Sequence, residues 1–145
     1  MTIKLVLDTN VFVSGFLWEG NESEAIRNIE RKEAMNFINT EILSEIEDVI
    51  NRDKFKDMLA KHNLTADEII EKIISLSHIV IGRKLEENVV KSDPKDDKFV
   101  ECALNSGADY IVSGDRHLLE LKEYENIKII TAKEFVDIIE KGDKN

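Results

Sequence analysis

Five short runs rich in β-branched residues, each separated from the next by helical periodicity, constrain this chain more than any other feature. They are residues 3–7 (IKLVL), 35–38 (MNFI), 78–81 (HIVI), 110–112 (YIV) and 127–130 (IKII). Between them, residues 40–51 place Ile42, Leu43, Ile46, Val49 and Ile50 on one helical face. Thr65 with Glu68 and Thr131 with Glu134 have the spacing of capping boxes, in which the two side chains satisfy free amides at a helix start. Asp93-Pro94 reads as an N-cap with proline at the first helical position, opening a helix to about Asn105 that Gly107 stops. Such alternation predicts an α/β fold, an open parallel sheet with helices on both faces and three layers in all. Runs 3–7 and 110–112 are almost wholly apolar, as strands buried on both sides must be. The 145 residues suit one domain, 1–145, and no repeat or linker divides them.

In an open sheet of this kind, ligands bind beyond the carboxyl ends of the strands, where strand order reverses. Asp8 directly follows IKLVL, and Asp115 follows YIV after Ser113-Gly114. A carboxylate leaving a buried strand is costly unless it caps a helix or meets a cation. Asp8 can cap a helix starting near Val11, and Asp115 one running through His117 to Leu119. Two adjacent central strands would bring both acids to one crevice. Two helical acids can reach it as well. Asp97 shares a face with Val100, Glu101 and Leu104, and Glu45 borders the apolar stripe of 40–51. Periodicity does not choose between Glu45 and Glu47, which flanks the other margin.

Two carboxylates about 4 Å apart repel by roughly 4 kcal/mol at an effective dielectric near 20. Four of them need a counter-ion. Hard oxygen donors suit Mg²⁺ or Mn²⁺; zinc is not indicated, since His62, His78 and His117 are scattered and pair with no cysteine pattern. A carboxylate-held Mg²⁺ keeps positions open for phosphate oxygens, which points to hydrolysis of a phosphodiester.

Charge stands against that chemistry at first sight. Thirty acids and twenty bases give −10, and an acidic chain repels nucleic acid. Either the acids cluster in a site that a metal neutralises, or a basic partner covers them. The single cysteine, Cys102, forms no internal disulfide and reads as a small buried hydrophobe in a helix. The N-terminus runs straight into a strand pattern without a leader-like stretch, and no apolar run is long enough for a bilayer. A cytoplasmic protein is expected.

Taken together, LDTNVFVSGFL, ILSEIEDVI, DPKDDKFVECALNSGADYIVSGD and IITAKEF resemble the PIN-domain ribonucleases along nearly the whole chain. The likeness is closest to the VapC-like toxins of bacterial and archaeal toxin–antitoxin pairs. The resemblance implies a five-stranded parallel sheet in the order 3-2-1-4-5 and four acids binding Mg²⁺ or Mn²⁺. Those acids fall on Asp8, Glu45, Asp97 and Asp115, with Asn10 and Ser113 as supporting polar residues. It selects Glu45 over Glu47, because LSEI fits the pattern better than EIED. Asp93 stays a cap and Asp96 a surface or outlying acid. Arg116, next to Asp115, is the candidate RNA contact, while Arg52, Lys54 and Lys56 read as ordinary surface. The resemblance also implies a homodimer, for which Phe16, Leu17 and Trp18 are the apolar candidates, and a small basic antitoxin-like partner fits the acidity. Two rivals stand beside the ribonuclease. One is a phosphatase built on Asp8, whose pattern needs a second aspartate where Asn10 stands; the other is a catalytically silent module that docks a basic segment.

Overall fold

The computed structural model describes residues 2–91 and 93–143. Its strands are β1 (Ile3–Leu7), β2 (Ala34–Ile38), β3 (Ser77–Ile79), β4 (Tyr110–Val112), β5 (Glu123–Tyr124) and β6 (Ile127–Ile130). Its helices are α1 (Thr9–Leu17), α2 (Asn21–Glu30), α3 (Thr40–Ile50), α4 (Lys56–Lys61), α5 (Ala66–Ser75), α6 (Asp97–Ser106), α7 (Arg116–Leu121) and α8 (Ala132–Asp143). The sheet order is β3-β2-β1-β4-β6-β5, parallel throughout except for β5. The five expected strands therefore lie in the expected 3-2-1-4-5 arrangement, with helices on both faces.

The sixth strand is a two-residue arm folded back on β6. Its turn, Glu125-Asn126, has both residues at positive φ (50° and 69°), which the backbone twist of a two-residue hairpin requires. No Gly marks that turn, so the sequence carries no strong hairpin signal there. At the other edge β3 spans Ser77–Ile79, where 78–81 was expected; Val80 N–H still reaches Ile38 O at 2.8 Å, and Ile81 is out in solvent.

Leu5, Val6, Leu7, Ile111 and Val112 have no exposure at all, which confirms β1 and β4 as the central pair. α1 packs on α2 and α2 on α8, while α3 packs on α5 and α6. Both capping boxes form: Thr65 Oγ1 accepts Glu68 N–H at 3.1 Å, and Thr131 Oγ1 accepts Glu134 N–H at 3.2 Å. Gly107, at φ 69°, closes α6 in the left-handed conformation that glycine adopts without strain. Cys102 is fully buried on α6, and burial pushes its thiol up to about 12, so it is an inert core side chain. Among the described residues no helix is long and apolar enough to cross a membrane.

One expected helix divides in two. Asp93 caps a 3-10 turn, Pro94–Asp96, and the α-helix begins only at Asp97. A 3-10 turn advances three residues per turn, so the phase of every side chain at this helix entry differs from that of a continuous α-helix.

The chain crosses from β1 toward β2 on one side and from β4 toward β6 on the other, so strand order reverses between β1 and β4. β1 stays with β4 as far as Leu7↔Val112, and Asp8 N–H extends the ladder to Val112 O at 3.0 Å. From β2 it departs earlier, after Leu5↔Asn36, and the buried Asn36 side chain accepts Leu7 N–H at 3.0 Å in place of the backbone. The carboxyl ends of β1 and β4 thus share one opening.

Candidate metal centre

Asp8 leaves β1 at this opening and is 3% exposed. Its Oδ1 accepts Val11 N–H at 2.9 Å and so caps α1, which starts at Thr9, earlier than the Val11 expected. Its Oδ2 accepts the hydroxyl of Ser113. Capping and site membership are therefore compatible roles, one oxygen for each. Burial, reinforced by the charges of Asp115 and Glu45, raises Asp8 to about 6 against the bonds from Ser113 and Val11.

Ser113 follows β4 and is fully buried. While donating to Asp8, its oxygen accepts Asp115 N–H at 2.9 Å. Asp115 in turn caps α7, its Oδ1 accepting His117 N–H at 2.7 Å.

The 3-10 turn supplies the next acids. One carboxylate oxygen each from Asp93, Asp96 and Asp115 lie within 4.8 Å of one another. At that spacing each pair of charges repels by about 3–4 kcal/mol at a dielectric near 20. Asp96 is 8% exposed, and its Oδ2 is buried with no hydrogen-bond partner. Burial first, then Asp115, Asp93, Glu45 and Asp8, push its carboxyl up to about 7. Buried acceptors are normally satisfied, so an unpartnered buried oxygen on a carboxylate grouped with two other acids fits a bound cation.

Glu45 reaches the same place from α3. Its Oε2 accepts the Thr9 hydroxyl and its Oε1 the Lys98 ammonium at 2.9 Å. Lys98 is only 15% exposed, so the crevice contains one cation of its own. Glu47 is exposed on the far margin of α3.

Asp97 does not join this group. Its Oδ1 accepts Val90 N–H at 2.7 Å and Val89 N–H at 3.1 Å, in the connection between β3 and α6. Of the face it shares with Val100, Glu101 and Leu104, Val100 and Glu101 are buried and Leu104 is exposed, and Glu101 holds the same connection through Leu85 N–H. Asp96, one residue earlier and in the 3-10 turn, occupies the place expected of Asp97. Asp93 is both the expected cap, accepting Lys95 N–H at 3.3 Å, and a member of the acid group.

The remaining candidates lie outside. Asn10 is exposed in the first turn of α1. Arg116 opens α7 with its side chain in solvent, 3.6 Å from Glu120. Lys56 pairs with Asp53 at 2.9 Å and Lys54 lies over the Phe55 ring, both ordinary surface roles. Of the apolar triplet offered for a dimer, Leu17 is buried and Phe16 stacks on Phe12; only Trp18 is exposed, tilted against Phe55. Among the described residues no cysteine or histidine enters an acid cluster.

The sequence profile of a known family, described as the PIN domain, matches residues 4–117, a span that includes every acid of the crevice. The chain belongs to the PIN-domain family. An uncharacterised protein of Methanocaldococcus jannaschii, MJ1680, is 30% identical over 148 residues, covering 96% of this chain and 93% of that protein. The crystal structure of PAE2754 from Pyrobaculum aerophilum superposes with a TM-score of 0.57, at 16% identity, over 97% of this chain and 99% of that one. That likeness is one of fold. PIN domains are metal-dependent nucleases, and the oxygen-only donor set of this PIN domain is compatible with a divalent ion. The sequence gives no sign of Thr9 or Lys98 and marks Asp96 only as a surface or outlying acid. Aspartates at 93 and 96 flanking Pro94 are the trace that marks Asp96, once the turn is read as 3-10.

Proposed function

We propose that this PIN domain is a metal-dependent endoribonuclease whose centre is formed by Asp8, Asp96 and Asp115, with Glu45 and Asp93 beside them. Two observations carry it: Asp96 Oδ2 is buried without a hydrogen-bond partner, and one carboxylate oxygen each of Asp93, Asp96 and Asp115 lie within 4.8 Å of one another. Asp8, Asp96 and Asp115 would hold Mg²⁺ or Mn²⁺ there, and the ion would supply neutralisation of phosphate charge and a lowered pKa for a bound water. Ser113 keeps Asp8 and Asp115 in register, and Thr9 orients Glu45. Lys98 holds its ammonium on Glu45 at the mouth of the crevice, where a phosphate oxygen can take it over. Because water is the nucleophile and no histidine pair is placed to use a 2′-hydroxyl, the products carry 5′-phosphate and 3′-hydroxyl ends.

A phosphatase that uses Asp8 as nucleophile is disfavoured. Its pattern needs a second aspartate two residues after Asp8, and position 10 is Asn. The net charge of −10 supports a role as the toxin of a toxin–antitoxin pair in the cytoplasm, with a small basic antitoxin whose Arg or Lys enters the crevice. Self-association belongs to the same proposal, through a surface other than Phe16 and Leu17.

Labelled single-stranded RNA incubated with the purified chain tests the ribonuclease. Cleavage is expected with Mg²⁺ or Mn²⁺, with none in EDTA and none from Asp8→Asn. Full activity in EDTA, or products ending in 2′,3′-cyclic phosphate, would refute it.

A further inference from the structure

Residues 80–93 form no helix or strand among those described, a long connection for a compact domain and one of the kind that usually has work to do. It lies as a strap along α6. Three side chains at four-residue intervals on one face of that helix hold its backbone. Asp97 accepts Val89 and Val90 N–H, Glu101 accepts Leu85 N–H at 2.7 Å, and Asn105 donates to Arg83 O at 3.0 Å. At the far end a Cβ on Gly82 would sit 2.2 Å from the Asn105 side chain, so a larger residue there would push that amide off Arg83 O. At the near end Val90 is buried, 2% exposed.

The near end leads directly to the acids. Val90 O accepts Asp93 N–H at 3.1 Å, Asp93 O accepts Asp96 N–H at 3.0 Å, and both aspartates belong to the metal centre. A continuous run of hydrogen bonds therefore joins Asp97 Oδ1, through Val90, to Asp93 and Asp96. Among the described residues, the next side-chain hydrogen bond to the strap backbone beyond those of Asp97 is Glu101 to Leu85 N–H, eight residues from Asp93 where Val90 is three away. A longer tether holds Asp93 less well, because the freed segment samples more conformations.

We propose that Asp97 is a positioning residue: it seats the strap on α6 and thereby fixes Asp93 and Asp96, and it binds no metal itself. This rests on the metal centre proposed above. Asp97 Oδ1 accepts both backbone amides and Oδ2 accepts Val89 N–H only at 3.3 Å, so the two shorter bonds need one oxygen and not a charge. Asn at this position keeps that oxygen; a metal ligand would not tolerate the same change. Coupling is reciprocal, so a cation bound at Asp93 and Asp96 must also tighten the strap.

Mn²⁺ calorimetry and backbone amide exchange on the full chain test this with Asp97→Asn, Asp97→Ala and Asp96→Asn. Asp97→Ala is expected to weaken Mn²⁺ about tenfold or more, the range seen when a residue supporting a ligand is lost, and to speed exchange at Val89 and Val90. Asp97→Asn should retain affinity within roughly threefold, against the tenfold or greater loss for a residue supporting a ligand, while Asp96→Asn loses binding. In the wild type, Mn²⁺ should slow exchange at the same two amides. Loss of Mn²⁺ binding in Asp97→Asn as complete as in Asp96→Asn would overturn the proposal by making Asp97 a ligand. Unchanged affinity and exchange in Asp97→Ala would overturn it by removing the strap's role. Undiminished binding in Asp96→Asn would instead defeat the metal centre, and the positioning role with it.

Discussion

The Ser113 hydroxyl donates to Asp8 Oδ2 while its oxygen accepts the N–H of Asp115 at 2.9 Å, so one buried side chain ties together the acids at the ends of β1 and β4. The bond to Asp8 favours its ionised form and works against the burial that raises it. Ser113→Ala should therefore raise Asp8 further and move the acid limb of the activity profile to higher pH. Activity at neutral pH should fall by about 10- to 100-fold, as for other groups that orient a ligand. Ser113→Thr, which keeps the hydroxyl, should restore most of it. A pH–rate profile unchanged in Ser113→Ala would show that the hydroxyl does not govern Asp8.

The raised carboxyls also set the stability of the metal-free chain. Asp8 rises to about 6 and Asp96 to about 7, from 3.8 in the unfolded chain. Between those limits the folded state holds protons that the unfolded state has lost, so the free energy of unfolding decreases as pH rises. That contribution is complete below pH 3.8 and gone above about 7. Glu24, held low by Arg27, acts in the opposite sense but only below its ordinary value of 4.5, which is under both pH values compared here. In EDTA the melting temperature should be higher at pH 5 than at pH 8, and Asp96→Asn should flatten the difference. Saturating Mn²⁺ at pH 8 should raise the melting temperature, the ion at 100 times its Kd adding about 2.7 kcal/mol. Melting that is higher at pH 8 than at pH 5 without metal would contradict this.

Glu45 and Glu47 are separated by environment, although periodicity treats them alike. Glu45 is held by Thr9 and Lys98, while Glu47 is exposed. Glu45→Gln should lower the cleavage rate by about 100-fold or more, comparable with loss of one electrostatic partner of a transition state. Glu47→Gln should leave it within experimental error. Equal effects from the two would mean that α3 faces the substrate differently.

Lys98 presents a separable case. Lys98→Met should cut cleavage by tenfold or more, since a charged hydrogen bond to phosphate is worth roughly 1.5–3 kcal/mol. Mn²⁺ affinity should not fall, because a competing positive charge has been removed from Glu45. A drop in Mn²⁺ affinity with normal cleavage of saturating RNA would assign Lys98 to the support of Glu45 alone.

What was legible in the sequence was whatever has a local signature. The apolar runs of β1 and β4 announce strands buried on both faces, and Asp8 and Asp115 then follow from position, since a strand end points its next residue at the sheet opening. Thr65-Glu68 and Gly107 were readable for the same reason. Asp96 was hidden by the 3-10 turn at Pro94–Asp96, which breaks the α-helical phase on which Asp97 was placed. Lys98 and Thr9 were hidden because their partner, Glu45, is 53 and 36 residues away, and no periodicity encodes a pairing made only by tertiary packing. β5 was hidden because Glu125-Asn126 makes its turn without glycine.

The most direct single measurement is the rate at which Asp96→Asn cleaves labelled RNA in saturating Mn²⁺, relative to the wild type. If Asp96 holds the cation, as proposed, the rate should fall by at least about 100-fold, the scale of losing one preorganised charge at a reacting phosphate. A folded Asp96→Asn chain that cleaves RNA at the wild-type rate would contradict a metal centre built on Asp96.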